Sequence, residues 1–127
     1  MKKDFFDRYK KIAAVVHGGE QRQDSVVLGF RAIDPGQAGI VLVHDGARPL
    51  AGKDLIERVI EETREKGAVV PGLILDETIK EAASGEVLRI LDRRKLFRVQ
   101  TPQGFAYPLL KRALDRAEAD HYCGTDE

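Results

Sequence analysis

Hydrophobic and polar positions divide the chain into short unbroken apolar runs and longer stripes of helical period. At 40–43, Ile-Val-Leu-Val carries no polar alternation, the pattern of a strand buried on both faces in the middle of a parallel sheet. A second run, Ile-Ala-Ala-Val-Val at 12–16, predicts another short strand. Residues 68–75 predict a third, interrupted by Pro71-Gly72. Between these runs the period changes. Val26, Val27, Leu28 and Phe30 open an amphipathic helix expected to reach about Ala32. Over 53–66, Leu55, Ile56, Val59 and Ile60 share one face with Glu and Arg opposite them, and Gly67 is placed to end the helix. Residues 2–11, with Phe5, Phe6 and Tyr9 among charges, suit a short packing helix. The order strand, helix, strand, helix, strand argues for an α/β domain with mostly parallel strands, right-handed crossovers and helices on the sheet faces.

From Asp76 onward the pattern differs. Residues 78–82 and 87–91 flank Ala83-Ser84-Gly85-Glu86 and read as a β-hairpin. Asp92-Arg93-Arg94-Lys95 is the densest charge cluster, either a solvated turn or a phosphate site, since guanidinium forks match phosphate oxygens. Residues 96–100 alternate like a strand, and 101–105 follow as a rigid loop containing Pro102 and Gly104. Pro108 stands at the start of a helix whose apolar face runs through Leu109, Leu110, Ala113, Leu114 and Ala117 to about Ala119.

Composition narrows the class further. The 127 residues suffice for one domain at most. Lys plus Arg and Asp plus Glu both count 21, which excludes an overall basic field recruiting nucleic acid or anionic lipid. No aromatic platform accompanies the Arg93-Arg94-Lys95 cluster, so nucleic acid is not an expected partner. No apolar run approaches a membrane span, and Met1-Lys2-Lys3-Asp4 lacks the apolar core of a signal peptide; a cytoplasmic location without a membrane partner is expected. The single Cys123 excludes an internal disulfide, and no pattern around it makes it a nucleophile or a metal ligand.

Two stretches carry candidate chemistry. After the run at 40–43, His44-Asp45-Gly46-Ala47-Arg48-Pro49 delivers an imidazole, a carboxylate and a guanidinium where ligands collect in open α/β sheets, beyond the carboxyl end of a strand. Ordinary loop polarity explains the same residues equally well. His17-Gly18-Gly19 followed by Glu20-Gln21-Arg22-Gln23-Asp24-Ser25 is a glycine turn leading into a helix start, where free N–H groups favour anionic or polar ligands. Taken alone, the favoured reading there is that Asp24 or Ser25 caps the helix.

Six stretches together resemble one family. Gly18-Gly19-Glu20-Gln21-Arg22-Gln23-Asp24-Ser25-Val26, Val43-His44-Asp45-Gly46-Ala47-Arg48-Pro49, Asp76-Glu77-Thr78-Ile79-Lys80, Leu91-Asp92-Arg93, Gln100-Thr101-Pro102-Gln103-Gly104-Phe105 and Thr125-Asp126-Glu127 occur in the order found in 2-C-methyl-D-erythritol 4-phosphate cytidylyltransferases. The resemblance implies a Rossmann-like, mostly parallel sheet with flanking helices and a projecting β-hairpin arm, at about 76–100, through which the family dimerises. It also implies transfer of CMP from CTP to methylerythritol phosphate with Mg2+ present, releasing pyrophosphate, in the non-mevalonate isoprenoid pathway. Gly19, Glu20 and Ser25 look like cytidine contacts, with Gly46 also beside the nucleotide. Asp45 resembles the carboxylate facing the substrate or metal, which implies for it the roles of metal ligand, nucleotide contact and catalytic residue. Arg48 resembles the cation near the sugar phosphate, Thr78 and Arg93 the arm residues that hold it in the partner's site, and Thr101 and Thr125 further substrate contacts. Arg93 is the second expected catalytic residue.

Departures from the pattern bear on activity. Family members carry a glycine-rich loop with Arg and then Lys ahead of the region corresponding to His17, and a later Lys after the Thr-Asp-Glu stretch. The chain therefore reads as an incomplete domain, the middle of such an enzyme over 1–127, and is expected to be inactive alone because missing preorganised cations cost phosphoryl transfer orders of magnitude in rate. Ribitol-5-phosphate or another polyol phosphate is the alternative acceptor; Ala47, where those relatives more often have Val, favours methylerythritol phosphate. A non-catalytic dimerising remnant is the alternative of a different class.

Overall fold

The computed structural model describes residues 8–124. Its elements run α1 (Arg22–Arg31), β1 (Ile40–Val43), α2 (Lys53–Lys66), β2 (Ala68–Val69), β3 (Gly72–Ile74), β4 (Ile79–Ala83), β5 (Glu86–Leu91), a 3₁₀ turn at Arg93–Lys95, β6 (Phe97–Val99), β7 (Gln103–Ala106) and α3 (Tyr107–Ala119). Contacts divide the chain into two compact units, one of Met1–Gly39 with Leu110–Glu127 and one of Ile40–Leu109. Among the described residues no helix is long and apolar enough to cross a membrane.

In the second unit, β1 and β2 both pair with β7, which lies between them. Both pairings are antiparallel, with Val43 opposite Gln103 and Val69 opposite Gly104. So β1 and β2 run in the same direction and are joined by α2, as the alternation of runs predicted. The slot between them, however, holds a strand of opposite direction. The mostly parallel, Rossmann-like ladder expected for the chain is therefore not what the described residues form: every strand pair among them is antiparallel. The expected rigid loop at 101–105 is also corrected, because Gln103–Ala106 is the central strand. Glycine and glutamine gave it no strand-like composition, yet Gln103, Gly104 and Phe105 are buried.

Packing explains why glycine stands there. A Cβ on Gly104 would lie 2.1 Å from Thr63 Oγ1 and 2.8 Å from Val59 Cγ1, so the backbone of β7 approaches α2 as closely as only glycine permits. Val59 and Thr63 are almost wholly buried on that face, and the Thr63 hydroxyl turns back to donate to the Val59 carbonyl at 2.5 Å. Helix α2 has the bounds its apolar stripe predicts, and Gly67 ends it.

Beyond β2 the expected break at Pro71-Gly72 separates two strands that belong to different sheets. β3 pairs with β6, and β4 pairs with β5 as the predicted hairpin. Ser84 and Gly85 both take positive φ, 51° and 86°, the mirror-image turn that matches the twist of a two-residue hairpin.

In the first unit, α1 begins at Arg22, earlier than the apolar stripe suggests, with Gln21 as the cap. The expected strand at 12–16 is not formed: these residues have no ladder partner, and Val15 and Val16 are exposed. An apolar run becomes a strand only where another backbone pairs with it. The predicted helix at 2–11 falls largely outside the described residues; Lys10 and Lys11 form a turn.

Candidate functional site

The register of β1 against β7 sets the geometry beyond the strand ends. Extending the Val43–Gln103 pairing by two residues puts Asp45 opposite Thr101, and the Asp45 N–H donates to Thr101 Oγ1 at 3.2 Å. Residues 45–48 then close a turn, with the Arg48 N–H donating to the Asp45 carbonyl at 3.0 Å. Arg48 Nε reaches the Asp45 carboxylate at 3.0 Å, and a second guanidinium nitrogen donates to Gln100 Oε1 at 2.5 Å. Gln100 is itself anchored, its N–H donating to the Pro71 carbonyl at 2.8 Å. Both members of the Arg48–Asp45 pair are partly solvent-exposed, so the pair adds little stability. Its effect is orientation: a carboxylate and a guanidinium fork are presented together at one sheet edge.

The glycine turn of the first unit is built differently. A Cβ on Gly19 would lie 2.1 Å from Asp24 Cβ, so the turn lies directly against the first turn of α1. Ser25 Oγ accepts from the Gly19 N–H at 3.1 Å and donates to the Gln21 carbonyl at 3.3 Å, while Asp24 accepts from the Gln21 N–H at 3.0 Å. The expectation that Asp24 or Ser25 is the cap is therefore corrected: Gln21 caps the helix, Asp24 completes a capping box with it from the first turn, and Ser25 braces the glycine turn. Gly19 and Glu20 also line a cavity of about 560 Å3 within this unit, with Arg31, Glu118 and Tyr122 among its other walls. That volume lies in the range of small-molecule sites.

At the base of the hairpin, Arg93 donates to the Asp76 carbonyl and thereby ties together the two chain segments on which the arm stands. Asp92 accepts from the Arg94 N–H at 3.2 Å and from its guanidinium at 2.9 Å. These bonds, the side-chain ones first, hold the Asp92 carboxyl below the usual carboxylate range and raise Arg94. Thr78 and Arg93 are exposed.

A profile of the 2-C-methyl-D-erythritol 4-phosphate cytidylyltransferase family matches residues 3–127. The chain belongs to this family. It is 44% identical over 119 residues to the methylerythritol phosphate cytidylyltransferase of Pelotomaculum thermopropionicum, covering 93% of this chain and 50% of that protein. It is 40% identical to the same enzyme of Bacillus pumilus, covering 96% of this chain and 55% of that one. Among solved structures, the 4-diphosphocytidyl-2C-methyl-D-erythritol synthase of Anaerococcus prevotii superposes with a TM-score of 0.86 at 30% identity, over 98% of this chain and 57% of its own. The Thermus thermophilus cytidylyltransferase gives 0.78 at 35% identity, over 87% and 53%. The chain spans about half the length of the curated relatives it matches.

Of the residues expected at the site of this cytidylyltransferase-family chain, the structure brings Asp45, Gly46, Arg48 and Thr101 together on one turn and its neighbour. Gly19, Glu20 and Ser25 gather at the start of α1, and Thr78 and Arg93 flank the hairpin. Thr125 lies outside the described residues. Among the described residues no three His, Cys, Asp or Glu side chains gather closely enough to hold a metal. The single carboxylate of Asp45 suits magnesium carried in on phosphates, and does not by itself make a resident metal site. Two residues at the turn drew no role from sequence reasoning. Gln100 meets Arg48, and the signal was its place in the stretch opposite the end of β1. His44 is not packed under the turn but exposed, and it is hydrogen-bonded through both ring nitrogens.

Proposed function

We propose that this chain forms part of a cytidylyltransferase that transfers CMP from CTP to 2-C-methyl-D-erythritol 4-phosphate in the cytoplasm. A phosphate oxygen of the sugar phosphate attacks the α-phosphorus of CTP, the bond to the β-phosphate bridging oxygen breaks, and pyrophosphate leaves with that electron pair. The observation that carries this reading is the turn at 45–48, where a carboxylate and a fork-shaped cation are held together beside Thr101. Arg48 meets the acceptor phosphate, to which its planar donors are matched, and Asp45 orients Arg48 and faces the reacting phosphates. Asp45 is the residue of this chain that would hold a magnesium ion carried in on the triphosphate, and the ion would supply charge neutralisation there. Gly19, Glu20, Ser25 and Gly46 contact the cytidine nucleotide. Thr101 acts from beneath, since its hydroxyl holds Asp45 in place, and Thr125 adds a further substrate contact.

Thr78 and Arg93 belong in this reading to a second copy's site, where Arg93 helps fix the acceptor phosphate for attack; neither nucleic acid nor membrane is a partner. Support for dimerisation comes from the hairpin surface: Val87 and Ile90, which lie opposite Ala82 and Lys80 and so share one face of the hairpin, are 58% and 68% exposed in the single chain. An Ile90→Asp variant that sediments like the wild-type chain would refute the arm as the dimer contact. Calorimetric titration with CTP and with methylerythritol phosphate tests the site. Binding of the sugar phosphate that falls about tenfold or more in Arg48→Ala supports it; equal affinity for ribitol 5-phosphate would favour the other acceptor, and no binding of either ligand a non-catalytic remnant. The chain by itself is proposed to be inactive, which pyrophosphate release at the rate of a full-length relative would refute.

A further inference from the structure

The turn at 45–48 is closed twice. Its own backbone bond joins Arg48 N–H to the Asp45 carbonyl at 3.0 Å. A second path runs underneath through side chains: the Asp45 N–H to Thr101 Oγ1 at 3.2 Å, Thr101 Oγ1 to His44 Nδ1 at 2.9 Å, and His44 Nε2 to the Arg48 carbonyl at 2.9 Å. A carbonyl only accepts, so Nε2 carries the proton. In the neutral ring Nδ1 is then the acceptor, and the Thr101 hydroxyl donates to it while accepting from Asp45. Every donor along this path is used once, in one direction, from the first residue of the turn to the last.

We infer that His44 is a positioning residue: as its Nε2–H tautomer it holds both ends of the turn that presents Asp45 and Arg48, directly at Arg48 and through Thr101 at Asp45. Each of the imidazole nitrogens serves a different end, so the two halves of its action are separable. Asparagine at 44 places a carbonyl oxygen near the position of Nδ1 and keeps the Thr101 half. Glutamine places an N–H near Nε2 and keeps the Arg48 half. The bearing of this device on catalysis rests on the acceptor-facing reading of Asp45 and Arg48 proposed above; its geometry does not.

Nitrogen NMR of the unmutated 15N-labelled chain at mildly alkaline pH tests the geometry directly. A single tautomer with Nε2 protonated and Nδ1 an acceptor is expected; an Nδ1–H tautomer, or the averaged signal of a freely exchanging ring, overturns the inference. In His44→Ala, exchange of the Asp45 amide should quicken by about tenfold, the worth of one hydrogen bond. His44→Asn should restore Asp45 protection alone, and His44→Gln the wild-type Arg48 Nε–H resonance alone. If both variants rescue neither reporter, or if each rescues both, His44 acts only by filling space and the inference fails. Titration with methylerythritol phosphate separates the two readings: failure of the unmutated chain to bind it refutes the acceptor assignment, while tautomer and exchange still decide His44.

Discussion

Replacing Gly104 by alanine drives a methyl group into the underside of α2. The new Cβ would stand 2.1 Å from Thr63 Oγ1, 2.8 Å from Val59 Cγ1 and 3.3 Å from the Val59 carbonyl oxygen. Ordinary contact begins near 3.4 Å, so helix and strand must part by about 1.3 Å at this point. Neither neighbour is a flexible side-chain end that swings away: Thr63 and Val59 are 1% and 3% exposed, and Thr63 Oγ1 is tied to its own helix. Overpacking of this kind costs about 1–3 kcal/mol, and alanine returns roughly 0.5–1 kcal/mol through a less flexible unfolded chain. A net loss of about 1–2 kcal/mol is expected, read as a drop of several degrees in Tm or a lower urea midpoint by circular dichroism. The partner variant makes the argument specific. Thr63→Ala removes the closest atom, so the double variant should lose at least about 1 kcal/mol less than the two single losses combined. Thr63→Ser keeps Oγ1 and should give no such relief. Wild-type stability in Gly104→Ala, or strict additivity with Thr63→Ala, would refute the close approach of β7 to α2.

Gly19→Ala puts a Cβ 2.1 Å from Asp24 Cβ and should open the turn before α1; CTP titration should show weaker binding with α-helical circular dichroism retained, and unchanged affinity would remove the turn from the nucleotide site. Ser84 holds φ at 51°, a conformation that asparagine tolerates better, so Ser84→Asn should stabilise the hairpin by up to about 1 kcal/mol, seen as a higher Tm; a lower Tm counts against the turn. The Asp92 carboxyl is depressed by Arg94, so whatever it contributes to stability is present at neutral pH and lost as pH falls through its folded-state midpoint. Carbon NMR should place that midpoint below the usual carboxylate value in the wild type and raise it part of the way back in Arg94→Ala, where the backbone N–H of residue 94 still donates; equal midpoints in the two would show that the Arg94 side chain is not the cause.

Local signals in the sequence located α2 and α3 well because each announces itself by period and by its end: α2 ends at Gly67, and α3 starts beside Pro108. The hairpin was legible from its polar Ser84-Gly85 connection. The strand in the middle of the sheet was not. Gln103-Gly104-Phe105 lacks β-branched residues because its centre is fitted to a helix that crosses it, a demand imposed by residues some 40 positions earlier. Missing that strand also reverses the expected ladder direction, since β1 and β2 are parallel only across β7. The run at 12–16 erred the other way, with strand-like residues and no pairing partner. At the site, Asp45 and Arg48 stood out as charges after a buried run, while the parts of Gln100 and His44 depend on antiparallel register that no local pattern encodes.

The central strand also has a temporal meaning. β7 pairs with β1 across a long stretch of chain, Ile40 lying opposite Ala106, and that stretch contains the hairpin. During synthesis the sheet cannot close until β7 has emerged, so α2 must wait with Val59 and Thr63 uncovered, and assembly is governed by a late, non-local event. The same connectivity makes the arm cheap to vary. Doubling the length of a flexible connection costs only about 0.6 kcal/mol of closure entropy. Insertions or deletions at the Ser84-Gly85 tip leave the pairing of Val43 with Gln103 untouched. An arm can therefore be lengthened, shortened or re-sequenced over evolutionary time while the turn carrying Asp45 and Arg48 keeps its footing.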